Sequence, residues 1–225
     1  MKKKRITAAL LALGLSAVTI CSQLPVFAAE ETAQATDTAT QPQTADPSVV
    51  TTNGIDGWSQ ASDISSTAAI VMETSTNTVL YSKNADQALY PASAVKVMTC
   101  LVALENSSLD DQVTMTATGV SGVTDGGANI SSQLDEVFTM EQCLYAIMVA
   151  SANDIALQVA EHVGGSVDAF VQTMNARAQE LGCTNTVFTN PTGLPDENQH
   201  ITAHDMALIM EAAMANETFR TIAAT

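Results

Sequence analysis

Basic residues are scarce in this chain: 8 Lys and Arg stand against 24 Asp and Glu among 225 residues. Four of the eight, Lys2, Lys3, Lys4 and Arg5, crowd the N-terminus. They precede an apolar run from Ile6 to Ile20 that is too short to span a bilayer comfortably. The segment closes on Val26-Phe27-Ala28-Ala29. A basic start, an apolar middle and small residues at the end read as a secretory signal peptide over residues 1–28, cleaved after Ala28. Bulky Ile20 before Cys21 argues against a lipoprotein anchor on that cysteine. The remainder keeps Lys83, Lys96, Arg177 and Arg220 against 24 acids, a net charge of −20. That balance excludes nucleic acid and anionic membrane surfaces as partners. A membrane is left only as something reached through an uncleaved signal or a C-terminal anchor.

Cysteine is almost as sparse. Cys100, Cys143 and Cys183 follow the signal, and an odd number in an exported chain is no disulfide framework. Cys100 and Cys143 fall on apolar helical faces and read as small core residues. Residues 29–57 have no aromatic residue and are rich in Thr, Ala, Gln, Asp and Pro. Such a stretch cannot bury enough surface to order itself, so it reads as a linker. Residues 58–225, from Trp58 onward, are long enough for one domain with a real core. No internal repeat is visible.

The elements expected in that domain begin with a β-hairpin, Thr67 to Glu73 and Thr78 to Ser82. A helix follows over 92–105. Residues 107–138 read as irregular, with extended pieces at Gln112 to Met115 and near Ile130, and turns at Gly119, Gly122, Gly126 and Gly127. Thr139 and Gln142 form a capping box for a helix through Val149. A break at Ser151-Ala152-Asn153 precedes a helix from Asp154 to Val163, stopped by Gly164 and Gly165. Ser166 caps a helix that turns Phe170, Met174 and Leu181 inward and ends at Gly182. Asn190-Pro191-Thr192-Gly193 is a turn. Thr202 with Asp205 caps a helix through Ala215, and a short helix covers Thr218 to Ala223.

The chemistry is concentrated in residues 90–105. Val95, Met98, Leu101, Val102 and Leu104 cover most of the helix circumference, so this helix is expected to be buried all round. Ser93 and Lys96 interrupt the pattern at i,i+3 spacing, which places both side chains on one face. A cation in a first turn opposes the helix dipole, and burial strips its hydration. Both effects favour the neutral amine, which beside a serine hydroxyl makes a nucleophile with its base in place. The bland alternative is an N-cap serine and a lysine reaching out to water. A second polar corner, Ser151-Ala152-Asn153, lies between two apolar helices; there the bland reading is a capping box of Ser151 with Asp154.

Five words of this sequence together resemble the low-molecular-mass penicillin-binding proteins, which are serine D-alanyl-D-alanine carboxypeptidases. They are Pro-Ala-Ser-Ala-Val-Lys-Val-Met-Thr (91–99), Ser-Ala-Asn-Asp (151–154), Met-Asn-Ala-Arg-Ala-Gln-Glu-Leu-Gly (174–182), Asn-Pro-Thr-Gly-Leu (190–194) and Thr-Ala-His-Asp-Met-Ala (202–207). They occur in family order and cover nearly everything from Thr67 onward. The resemblance implies an α/β (α+β) fold of the β-lactamase/transpeptidase type, a helical subdomain plus an N-terminal β-hairpin. It implies Ser93 as the acylated nucleophile and Lys96 as its general base, in keeping with the Ser-x-x-Lys signature. Ser151 would relay a proton to the leaving amine, and Asn153 would hold the substrate backbone and help position Lys96. The Ser93 backbone N–H would be one oxyanion donor. The implied substrate is a peptidoglycan stem peptide ending in D-Ala-D-Ala, with β-lactams as inhibitors, no cofactor and no metal. The implied location is outside the cytoplasmic membrane, at its outer face or in the cell wall.

One departure shapes the expectation. The family's Lys-Thr-Gly or Lys-Ser-Gly tripeptide, on a strand that binds the terminal carboxylate, does not occur in this sequence. An incomplete domain is therefore expected, with the C-terminal strands of the sheet missing. Three competing readings remain. A class A β-lactamase would need a deacylating Glu, for which 185–198 offers only Asp196 and Glu197. A metallohydrolase could use His200 and His204, but Ile201 stands where His-Glu-x-x-His needs Glu; surface positions around a capped helix start suit these histidines better. The third is a non-catalytic cell-wall-binding fragment.

Overall fold

The structure, a computed structural model, describes residues 64–122 and 127–225. The expected signal peptide (1–28), the linker (29–57), Trp58 and Gly126 lie outside the described residues. The first element is the expected hairpin. β1 (Ala69–Glu73) pairs antiparallel with β2 (Thr78–Lys83), with a bulge between Val71 and Met72. The Glu73 carboxylate closes its turn by accepting from the Ser75 N–H and the Thr76 hydroxyl.

The core is built around α1 (Val95–Asn106), which follows a 3-10 turn at Ala92–Ala94. Every residue from Val95 to Ala103 is buried, as its nearly unbroken apolar sequence requires. The covering elements are α3 (Met140–Ala150), α4 (Asn153–Gly164), α5 (Val167–Glu180), α6 (Ala203–Ala215) and α7 (Glu217–Ala223), all in contact with α1. Phe170, Met174, Ile155, Leu144, Ile209 and Phe219 fill the spaces between them. Cys100, Cys143 and Cys183 are buried here as free thiols. Burial raises the Cys143 and Cys183 thiols to about 12, and pushes Cys100 up too. Arg177 forks onto Glu105, tying α5 to the end of α1. The pair is partly exposed, so it contributes about 1 kcal/mol or less.

The helix termini follow local chemistry. Thr139 and Gln142 make the reciprocal capping box of α3. Ser166, Thr202 and Asn216 cap α5, α6 and α7, and left-handed Gly165 closes α4.

In the stretch 107–138 the extended piece expected at Gln112 to Met115 forms a strand, while the rest departs from expectation. β3 (Gln112–Thr114) pairs antiparallel with β4 (Val137–Thr139), and α2 (Ala117–Ser121) stands between them in sequence. Ile130 belongs to no strand and is exposed. Gly119 and the β-branched Thr118 and Val120 hide α2 from a propensity reading. Tertiary contacts hold it: the Thr116 N–H donates to Gln158 Oε1, and the Thr116 and Thr118 hydroxyls donate to Glu161 of α4. Those two hydroxyls hold the Glu161 carboxyl below the usual carboxylate range. Gly119 is required by close approach, since a Cβ there would sit 2.4 Å from Met115 Cε and 2.9 Å from the Asp154 carbonyl. Among the described residues, no helix is long and apolar enough to cross a membrane.

Candidate active site

Ser93 sits in the 3-10 turn that leads into α1, on backbone strained just before it. Ala92 has φ 47, a left-handed conformation that a residue with a Cβ adopts at a cost of about 1–2 kcal/mol. What holds this turn is the segment 190–193. Gly193 (φ +84) lies so close that a Cβ on it would fall 1.9 Å from the Ala92 carbonyl oxygen and 2.9 Å from the Ser93 nitrogen. Asn190 Oδ1 shapes the segment by accepting from the N–H groups of Thr192 and Gly193 and from the Thr192 hydroxyl.

Lys96 is 2% exposed, in the first turn of α1. Its Nζ donates to the Thr192 carbonyl at 2.6 Å and lies 3.3 Å from Ser93 Oγ. Neither partner is anionic. Burial therefore dominates and lowers the amine to about 8, with the Cys100 thiol one turn further on pulling weakly the other way. Near neutral pH a fraction of Lys96 is uncharged within reach of the serine hydroxyl, which is the condition for a general base. Ser93 itself is exposed, so the nucleophile faces solvent.

Ser151 completes the group from another part of the chain. Its hydroxyl donates to Ser93 Oγ at 3.1 Å. It is the C-cap of α3 with φ 54, again left-handed. The N-cap of α4 is Ala152, without a side-chain cap bond, so the capping-box alternative for Ser151 and Asp154 does not form. The Asp154 carboxylate instead gathers the Ile130 and Ser132 N–H groups and the Ser132 hydroxyl, fixing the loop before β4.

Asn153 is buried at the start of α4, and its N–H donates to the Ala128 carbonyl at 2.8 Å. Its Oδ1 is buried without a hydrogen-bond partner among the described residues. Gly127 packs on its Nδ2, where a Cβ would fall at 2.3 Å. The Lys96 amine makes its hydrogen bonds to Ser93 and Thr192, and the Asn153 amide is not among its partners. Thr192 is the contact sequence reasoning missed. A backbone carbonyl has no sequence signature, and Asn-Pro-Thr-Gly reads only as a turn.

The competing histidines make contacts of their own away from this group. His204 Nδ1 pairs with Asp86 Oδ1 at 3.1 Å, while His200 Nδ1 faces the Asn198 carbonyl, so the two rings serve different partners. Among the described residues, no group of three His, Cys, Asp or Glu is placed to hold a metal. Asp196 and Glu197 line a recess of about 410 Å³ with Tyr90, Pro91 and Ala92. Asp196 Oδ1 accepts from the Asn198 N–H, and Glu197 is exposed.

A serine hydroxyl beside a buried amine on one side and a second serine on the other, on a helical body flanked by short antiparallel strands, is an arrangement that can support acyl transfer through the serine. Comparison with known proteins gives the family. Residues 56–225 match the family described as D-alanyl-D-alanine carboxypeptidase, peptidase S11, and the chain belongs to it. The D-alanyl-D-alanine carboxypeptidase DacF of Bacillus subtilis is 36% identical over 156 residues, which are 67% of this chain and 39% of DacF. Among solved structures, penicillin binding protein 5 from Haemophilus influenzae is 31% identical at TM-score 0.66, covering 70% of this chain and 47% of that one. The D-alanyl-D-alanine carboxypeptidase from Mycobacterium tuberculosis is 32% identical at TM-score 0.70, covering 76% and 64%. The chain thus spans less than two thirds of each of these relatives, and shares their mixed α/β fold.

Proposed function

We propose that this chain carries the acylating centre of an exported serine D-alanyl-D-alanine carboxypeptidase. Its substrate is a peptidoglycan stem peptide ending in D-Ala-D-Ala, and its product is the peptide shortened by one D-alanine. The observation that carries the reading is the Lys96 amine, buried and held between Ser93 Oγ at 3.3 Å and the Thr192 carbonyl at 2.6 Å, with no anionic partner among the described residues.

Neutral Lys96 takes the Ser93 proton as Oγ attacks the penultimate D-alanine carbonyl. The Ser93 N–H steadies the developing oxyanion. Ser151 relays that proton from Lys96 to the departing D-alanine nitrogen, the peptide C–N bond breaks, and the peptide remains as an ester on Ser93. Water then attacks the ester, Lys96, neutral again, accepts the water proton, and the proton returns to Ser93 Oγ as the ester C–O bond breaks. Asn153 Oδ1, buried and without a hydrogen-bond partner among the described residues, accepts from the substrate backbone. A β-lactam opens on the same serine. Export follows from the basic and apolar character of residues 1–28.

A second reading of the same exposed serine site is a cell-wall peptide binder that does not turn over. Incubation with a peptide ending in D-Ala-D-Ala separates the two. Release of D-alanine that vanishes in Ser93→Ala supports the carboxypeptidase. Peptide binding by the folded chain with no D-alanine released contradicts it.

A further inference from the structure

One polar group of α1 is still without a role. Thr99 is completely buried in the middle of a helix that is otherwise apolar from Val97 to Ala103. A buried helical threonine ordinarily returns its hydroxyl to the carbonyl four residues back. That acceptor, Val95 O, is 3.5 Å away, whereas the Pro191 carbonyl is 2.7 Å away. The single hydroxyl proton therefore goes to Pro191, outside the helix. Ser93, Lys96 and Thr99 follow one another at spacings of three along one stripe of the 3-10 turn and α1. Each of the three side chains is bonded into the active site.

We propose that Thr99 is a positioning residue for the acylating pair: its hydroxyl pins the Pro191 carbonyl so that the next carbonyl, Thr192 O, stays on the Lys96 amine and Gly193 stays seated on the Ser93 turn. The inference rests on the function proposed above. Asn190 gives segment 190–193 its shape, but attaching it to α1 falls to two hydrogen bonds, Lys96 to Thr192 O and Thr99 to Pro191 O. The first is made by an amine that gains and loses a proton during the reaction. The second is indifferent to protonation, so it keeps the carbonyl in place for the amine to return to.

Removal of the hydroxyl has a defined electrostatic consequence. The Pro191 carbonyl loses a buried donor, and an unsatisfied carbonyl there recruits water. Water beside Lys96 relieves the burial that lowers its pKa. The charged groups on the surrounding elements do not compete in this. Cys100 lies on α1 itself, the Asp154 carboxylate of α4 is taken by Ile130 and Ser132, and that of Asp205 on α6 by Asn185 and Thr186. Cys143 on α3 is held protonated by burial, and Glu105 at the end of α1 is taken by Arg177 of α5.

The test compares Thr99→Val and Thr99→Ser in the full chain by two readouts. One is the pH dependence of β-lactam acylation; the other is the Lys96 titration midpoint, read from lysine-labelled NMR and assigned by its loss in Lys96→Arg. Thr99→Val should raise the midpoint by about half a unit or more and slow acylation at neutral pH about tenfold. Thr99→Ser keeps the hydroxyl and should hold the midpoint and keep the rate within about twofold. A valine variant that only melts earlier, with an unmoved midpoint, would overturn the proposal. So would a serine variant whose midpoint moves, which decides the matter even if the valine variant does not fold. Because the NMR midpoint needs no acylation, an unreactive wild type would count against the proposed function while still reading the Thr99 hold.

Discussion

Ser151 and Ser93 are 58 residues apart in sequence, yet their hydroxyl oxygens are 3.1 Å apart. The α3–α4 corner brings them together, and Ser151 occupies the left-handed conformation that ends α3. The same left-handed residue thus closes α3, through its N–H on the Ala146 carbonyl, and turns its hydroxyl to Ser93.

Ser151→Ala keeps the backbone and removes the hydroxyl. Acylation should slow about 10²- to 10³-fold, the range expected for a lost proton-transfer group, with little change in melting temperature. Ser151→Gly should be as slow but more stable by about 1 kcal/mol, because glycine accepts φ 54 without penalty. Thermal melts beside stopped-flow acylation check both.

Lys96 makes stability depend on pH in a direction opposite to the buried thiols. Its folded-state pKa is depressed from 10.5 to about 8, so between those values the unfolded chain binds more protons and the folded state gains stability as pH rises. The raised thiols of Cys143 and Cys183 cost stability above about pH 9. The difference between wild type and Lys96→Met isolates the amine. Urea titrations should show Lys96→Met with its greatest relative advantage below pH 8, shrinking steadily to pH 10.5. A difference constant across that window would contradict a buried, uncompensated amine.

Gly193→Ala places a Cβ on the Ala92 carbonyl at φ +84. The clash and the backbone conformation together should cost about 2 to 4 kcal/mol. Since the displaced segment carries Thr192 O, acylation should fall further than loss of folded protein explains. Denaturation midpoints and active-site titration on the same samples separate the two effects.

Much of this site was legible in the sequence because it is local or carried by side chains. The Ser93 and Lys96 spacing fixes them on one face, and their apolar neighbours foretell the burial that lowers the amine. The α3 capping box and the 190–193 turn were equally plain. The Ser151 contact was legible only through family resemblance, since no periodicity brings a corner at 151 to a turn at 93. The Thr192 carbonyl, the Gly193 approach to Ala92 and helix α2 were not legible. The first is a backbone atom, the second a close contact between distant segments, and the third is held by Gln158 and Glu161 against its own propensity.

Acylation by a fluorescent penicillin across pH 6 to 10, followed by intact mass, shows most directly whether an uncharged Lys96 activates Ser93 as a nucleophile. The wild-type chain should gain one penicilloyl group on Ser93, with a rate that rises with pH around a midpoint of about 8, and neither Ser93→Ala nor Lys96→Ala should be labelled. A folded wild type that takes up no label, or a Lys96→Ala protein labelled at the wild-type rate, would contradict it.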